Sequence, residues 1–123
     1  MKRVTSLLTA VVLSLGTILT GTTSAEAADC RSGAFCVWSD ANFNGMKIEH
    51  LGDDHWWEGD MFKADSSWAN HGISGPGVKD HVKVYEGRKL LGRVTLCLAP
   101  GQEVGYLAGA NDQGGSHTWT ARC

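Results

Sequence analysis

One spacing pattern, used twice, restricts the fold of this chain more than anything else in it. Trp38-Ser-Asp-Ala-Asn-Phe43-Asn-Gly45 reads aromatic, four residues, aromatic, one residue, glycine. Tyr85-Glu-Gly-Arg-Lys-Leu90-Leu-Gly92 repeats it with leucine in the second aromatic slot. Two bulky side chains around a tight turn, closed by a glycine, suit a hairpin folded over on itself. The glycine takes a backbone angle that a Cβ forbids, and the large side chains plug the corner and supply the local burial. Gly45 and Gly92 are therefore expected at positive φ. Gly87 lies inside the four-residue spacer, so alanine there is expected to be milder than valine at Gly45 or Gly92.

The rest of the chain reads as short strands joined by turns. Glycine is abundant, with 16 residues, and proline is scarce, with two. Phe35 to Ser39, Met46 to Glu49, Val82 to Val84, Val94 to Leu98, Val104 to Leu107 and His117 to Thr120 are strand candidates, several with the apolar–polar alternation of a half-buried strand. Val94, Leu96 and Leu98 share one face, with Thr95 and Cys97 on the other. Only Asp54 to Phe62 has room for a turn of helix, and Gly72 to Gly77 reads as the connector between halves. The expectation is an all-β domain.

Residues 1–27 carry the signature of a secretory signal peptide. Lys2 and Arg3 precede an apolar run from Leu7 to Leu19, and Ala25-Glu26-Ala27 is a small-x-small cleavage signal. The run is short for a membrane span and no stop-transfer pattern comes after it. A secreted, extracellular domain of residues 28–123 is the expectation. Lys2, Arg3 and Glu26 fall in the leader, which leaves nine basic and twelve acidic side chains of the 11 and 13 in the whole chain. Without a basic patch, nucleic acid and anionic membranes are excluded as partners.

All four cysteines, Cys30, Cys36, Cys97 and Cys123, lie beyond the leader. An even count in a small exported domain implies two disulfides. Of three possible pairings, Cys30–Cys36 and Cys97–Cys123 join residues within one half and are expected. A zinc site would want a Cys-x-x-Cys pair, which is missing.

The repeated hairpin resembles the signature of the βγ-crystallin Greek-key motif. Two copies imply one domain of two Greek keys packed as a β-sandwich, motif one over about 30–71 and motif two over about 78–123. Cys30-Arg-Ser-Gly-Ala-Phe-Cys36 with Val37-Trp38, and the closing Asn111-Asp-Gln-Gly-Gly-Ser116-His-Thr-Trp119, are similar to secreted actinobacterial metallopeptidase inhibitors of βγ-crystallin-like fold. The resemblance implies a monomeric protein whose partner is an extracellular zinc metallopeptidase. It places an inhibitory bond at Cys97–Leu98, with leucine suited to an apolar pocket beside zinc and Pro100-Gly101 turning the chain after it. The second cysteine of that family's small inhibitory loop is missing here, so Cys97 has to pair elsewhere.

The same resemblance raises calcium, because βγ-crystallin motifs often carry two Asn/Asp residues, two variable ones, then Ser/Thr and Ser. Here Asn111 and Asp112 in the second half and Ser66 in the first are the candidate ligands. Gly115 stands where a hydroxyl belongs, and Phe62-Lys63 stands where the acidic pair belongs. Calcium ions want several oxygens, charged ones above all, so weak calcium binding, with no cofactor required for folding, is the expectation. Ser67 and Ser116 are assigned to holding the hairpins.

Between Glu49 and Asp60 lie His50, Asp53, Asp54, His55, Trp56, Trp57 and Glu58. No metal spacing is recognisable there. Adjacent tryptophans on extended backbone point to opposite sides, so one of Trp56 and Trp57 is a candidate contact residue. No nucleophile elbow or Ser–His–Asp order appears, which argues against an enzyme. Two functions stay open: a secreted, disulfide-stapled inhibitor of a zinc metallopeptidase, or a non-inhibitory module binding calcium, glycan or a cell-surface partner.

Overall fold

The computed structural model describes residues 28–123; the expected leader lies outside them. Seven strands run in order: β1 (Phe35–Asp40), β2 (Asn44–His50), β3 (Ser67–Asn70), β4 (His81–Tyr85), β5 (Val94–Leu98), β6 (Glu103–Val104) and β7 (Ser116–Thr120). They form two antiparallel sheets, ordered β2-β1-β3-β6 and β5-β4-β7. β6 belongs to the second half of the chain yet pairs with β3 of the first, Trp68 opposite Val104 and Ala69 opposite Glu103. In return Asp54 bridges His117 on β7. The halves therefore exchange edges, and neither sheet is complete without the other motif. Among the described residues no helix is long and apolar enough to cross a membrane.

Both folded hairpins are present. After β1 the chain takes left-handed angles at Asn42 and Phe43, then at Gly45; after β4 it does so at Lys89, Leu90 and Gly92. Gly45 and Gly92 stand at φ 85° and 82°, and a Cβ at either would collide with the side chain of Asp40 or Glu86. Trp38 and Phe43 meet edge-to-face with ring centroids 5.2 Å apart. One serine fastens each hairpin. Ser67 Oγ accepts from Phe43 N and donates to Asp40 O; Ser116 Oγ accepts from Leu90 N and donates to Gly87 O. At Gly87, which lacks the positive φ of the other two, a Cβ would still lie 2.9 Å from the Leu91 carbonyl oxygen.

Between the sheets lies a core of Phe35, Val37, Trp57, Met61, Trp68, Val82, Val84, Leu96, Leu98 and Ala110. A second cluster covers the outer face of the first sheet, where Ala28, Cys30 and Ala34 pack on Cys36, Trp38 and Ala69. β3 is thus buried on both faces, and Ser-Trp-Ala-Asn carries neither alternation nor β-branched residues, which is why its sequence gives no strand signal. The expected Val104–Leu107 strand contracts to Glu103–Val104. Gly105 O accepts from Asn42 N, and Tyr106 and Leu107 are exposed. On β5 the alternation holds from Leu96 to Leu98 and fails before it. A register shift opposite Val84 and Tyr85 leaves Val94 exposed and Thr95 buried.

Candidate functional site

The segment that resembles an inhibitory loop is the end of β5 together with the turn beyond it. β5 is an edge strand. Cys97, opposite Lys83 on β4, is bonded to Cys123, and Cys30 to Cys36. No described cysteine is free, so none has a thiolate for a metal. Leu98 is not presented to solvent as the inhibitory bond requires. It is 1% exposed, pairs with Val82, and packs in the central core. Extracting such a side chain would cost about 1.5–3 kcal/mol of burial before any contact is made.

The next four residues project instead. Gln102 N donates to Ala99 O at 3.0 Å, Pro100 occupies the first corner, and Gly101 has φ 82°. This is the geometry of a type II turn, in which the second corner needs a positive φ. A Cβ on Gly101 would meet nothing within 4 Å, which marks the tip as open. Gln102 Oε1 accepts from Ala99 N, closing the turn a second time.

Asn70, at the end of β3 and fully buried, holds this turn to the body. Its Nδ2 donates to Leu98 O at 3.0 Å and to Asp80 O at 2.8 Å, and its Oδ1 accepts from Gly72 N. Its backbone N donates to Gln102 O and its carbonyl accepts from Gly101 N. One amide thereby ties the β5 terminus, the turn, the connector and the start of β4. Nothing in the local sequence around Asn70 points to this role, because every partner except Gly72 is ten or more residues away.

The calcium candidates come together only in part. Ser66 Oγ donates to Asn111 Oδ1 at 2.6 Å, so the two neutral oxygens satisfy each other across the two motifs. Asp112 is exposed, at φ 60°. The neighbouring Asp65 is buried, its carboxylate accepting from Trp68 Nε1 and Gly114 N, each at 2.8 Å. Burial raises its pKa above the ordinary carboxylate value, against the lowering effect of those hydrogen bonds. In the mirror position a Cβ on Gly115 would lie 2.8 Å from Glu86 O and 2.9 Å from the Phe62 ring. A hydroxyl side chain has no room there. The donor set is a poor fit for calcium.

Trp56 and Trp57 divide as opposite-facing neighbours should. Trp57 is fully buried and Trp56 is 48% exposed, with the Arg88 guanidinium 4.3 Å from its ring centroid. Trp57 Nε1 donates to His117 Nδ1, and His117 Nε2 donates to Gly52 O. Those partners fix a neutral imidazole, and burial lowers its pKa to about 4. His50 pairs with Asp54 at 3.2 Å. A shallow cleft of about 380 Å³ beside the connector is walled mainly by Leu51, Ile73, Val78 and Trp119, with only Asp53 and Lys79 charged.

The model of the peptidase inhibitor family I36 matches residues 23–97, most of the chain but stopping short of Leu98. Solved structures share the fold. An archaeal βγ-crystallin superposes with a TM-score of 0.57 at 21% identity, covering 72% of this chain and 99% of that one. A βγ-crystallin from Ciona intestinalis gives 0.54 at 20%, covering 71% and 99%. A βγ-crystallin domain from Clostridium beijerinckii gives 0.54 at 17%, covering 72% and 98%. No curated protein matches the chain significantly.

Proposed function

The chain belongs to the peptidase inhibitor family I36, and from that premise we propose that it is secreted and inhibits an extracellular zinc metallopeptidase as a monomer. The contact segment in this reading is the turn Ala99–Gln102 together with the free edge of β5. The observation that carries it is the bracing of that turn. Cys97–Cys123 pins the strand leading into it, and Asn70 pins both Leu98 O and the turn's own backbone. A segment already fixed in its bound form loses little entropy on binding, and an edge strand can extend the sheet of an enzyme cleft. Family and fold point to a non-enzymatic protein.

Steady-state inhibition of a thermolysin-like enzyme by the oxidised, secreted protein tests the reading, with a serine peptidase as control. Inhibition of the zinc enzyme alone is expected, weakened at least about tenfold, or 1.4 kcal/mol, when Pro100 and Gln102 are both replaced by glycine. Full activity of the zinc enzyme at saturating protein would refute it. Calcium is not needed in this account: the protein is expected to fold in chelator, and calorimetry is expected to find no micromolar site.

Half-exposed Trp56 supports a second reading, a glycan-binding module, since an indole with Arg88 on one face can still offer its remaining surface to a sugar. Quenching or enhancement of tryptophan fluorescence by soluble cell-wall fragments, lost in Trp56→Ala, would favour it.

A further inference from the structure

Ala28, the first described residue, is held rather than free. It is 6% exposed and belongs to the cluster on the outer face of the first sheet. Its backbone nitrogen lies 3.4 Å from Glu103 Oε1. Glu103 stands on β6 opposite Ala69, and its other oxygen, Oε2, is 2.5 Å from His71 Nε2. His71 Nδ1 faces Cys30 O at 2.6 Å. The next residues are tied down too. Lys47 Nζ reaches Asp29 O and Asp29 Oδ2, and Arg31 N donates to Glu49 Oε1.

The same nitrogen is the one that cleavage after Ala27 would convert. While the leader is attached it is an amide, with one N–H and no charge. Hydrolysis of the Ala27–Ala28 peptide bond consumes one water, leaves a carboxylate on Ala27 and a primary amine on Ala28. That amine is protonated near neutral pH, since a peptide α-amino group titrates at about 7.7–8.0. We propose that leader removal builds an ion pair between the Ala28 α-ammonium and Glu103, so that the exported domain holds by charge a contact its precursor makes only through an amide N–H. The inference rests on the signal-peptide reading and deepens it.

The pair sits where it matters for the proposed function. Glu103 comes directly after Gln102, so a carboxylate fixed by ammonium on one oxygen and by His71 on the other anchors the base of the projecting turn. Half-buried, charge-assisted hydrogen bonds of this kind are stronger than neutral ones. The precursor would carry the same strands with a weaker anchor.

Four proteins, each secreted by its own leader, test the pair. One is the natural chain; one has Gly-Ser inserted between Ala27 and Ala28, which moves the ammonium away while keeping the Ala28 N–H; each is also made with Glu103→Gln. Intact mass first reads the N-terminus. Ala28 as first residue is expected in the natural chain, and any other start would overturn the inference on its own, by removing the signal-peptide reading beneath it. Thermal unfolding then reads the pair. The insertion should lower Tm by about 3–6 °C with Glu103 present and by about 1 °C or less with Glu103→Gln. Equal loss in both backgrounds, with Ala28 confirmed as the first residue, would show that the insertion acts by displacement alone and that no ion pair forms.

Discussion

Single glycines and one asparagine decide most of the local geometry. Gly45→Val and Gly92→Val place a β-branched residue at φ above 80° and against Asp40 or Glu86. Such strain costs of order 1–3 kcal/mol, and at about 4–8 °C per kcal/mol for a domain of this size each should lower Tm measurably with both disulfides intact. Gly87→Ala should be nearly as harmful, because what it meets is the Leu91 carbonyl, which is backbone and cannot rotate aside. A melt within experimental error of the parent for all three would mean the hairpins are not folded as described. Asn70→Asp keeps the size and the acceptor for Gly72 N but removes both donors, leaving Leu98 O and Asp80 O without this partner. Loss of about 2–4 kcal/mol in urea unfolding is expected from the lost bonds and the buried charge. The motif residues were legible because their signal is a spacing of a few residues. Asn70 was not, because its meaning is made by segments far along the chain.

At the scale of elements, legibility tracked composition and length rather than exposure, since β1 is buried on both faces as β3 is. β1, β2, β4 and β7 alternate or are rich in β-branched and aromatic residues, and their positions could be read within a residue or two. β3 is four residues with neither alternation nor a β-branched side chain, and β6 is two residues of a loop captured by the opposite motif, so neither has a period to detect. The resemblance places the inhibitory bond at Cys97–Leu98, just before the turn. Alternation on β5 already favoured a buried Leu98, and Pro100-Gly101 marked the turn that projects instead. The two disulfides act on different elements. In the chain-entropy model the Cys97–Cys123 loop stabilises by about 3 kcal/mol and the shorter Cys30–Cys36 loop by about 2 kcal/mol. Replacing Cys97 and Cys123 together by serine should lower Tm more than replacing Cys30 and Cys36, and should also speed amide exchange at Gly101 and Gln102. A faster exchange in the Cys30/Cys36 variant instead would place the brace of the turn in the wrong half.

The whole molecule behaves as one interlocked unit, since each sheet takes its last strand contact from the other motif. His117 lies at that crossing, bonded to Trp57 and to Gly52 O, in contact with Phe35, and neutral with a pKa of about 4. An unfolded histidine titrates near 6.5. The unfolded chain therefore binds more protons between those values, and stability falls as pH drops from about 6.5 to 4, by up to about 3 kcal/mol. Asp65 opposes this at the acid end. Its folded pKa is raised, so the folded state binds the proton more readily there and its contribution to stability improves as pH falls. Urea midpoints between pH 7.5 and 4 should decline across the histidine range, and a flat profile would contradict the buried neutral His117.

The central claim is that this domain meets a zinc metallopeptidase through the turn after β5. Hydrogen-exchange footprinting of the oxidised, secreted protein, free and with a saturating thermolysin-like enzyme, tests it most directly. The account predicts new protection confined to the β5 edge and the amides of Ala99, Gly101 and Gln102, with exchange around Trp56 unchanged. No protection anywhere, or protection centred on Trp56 with the turn still exchanging freely, would contradict it.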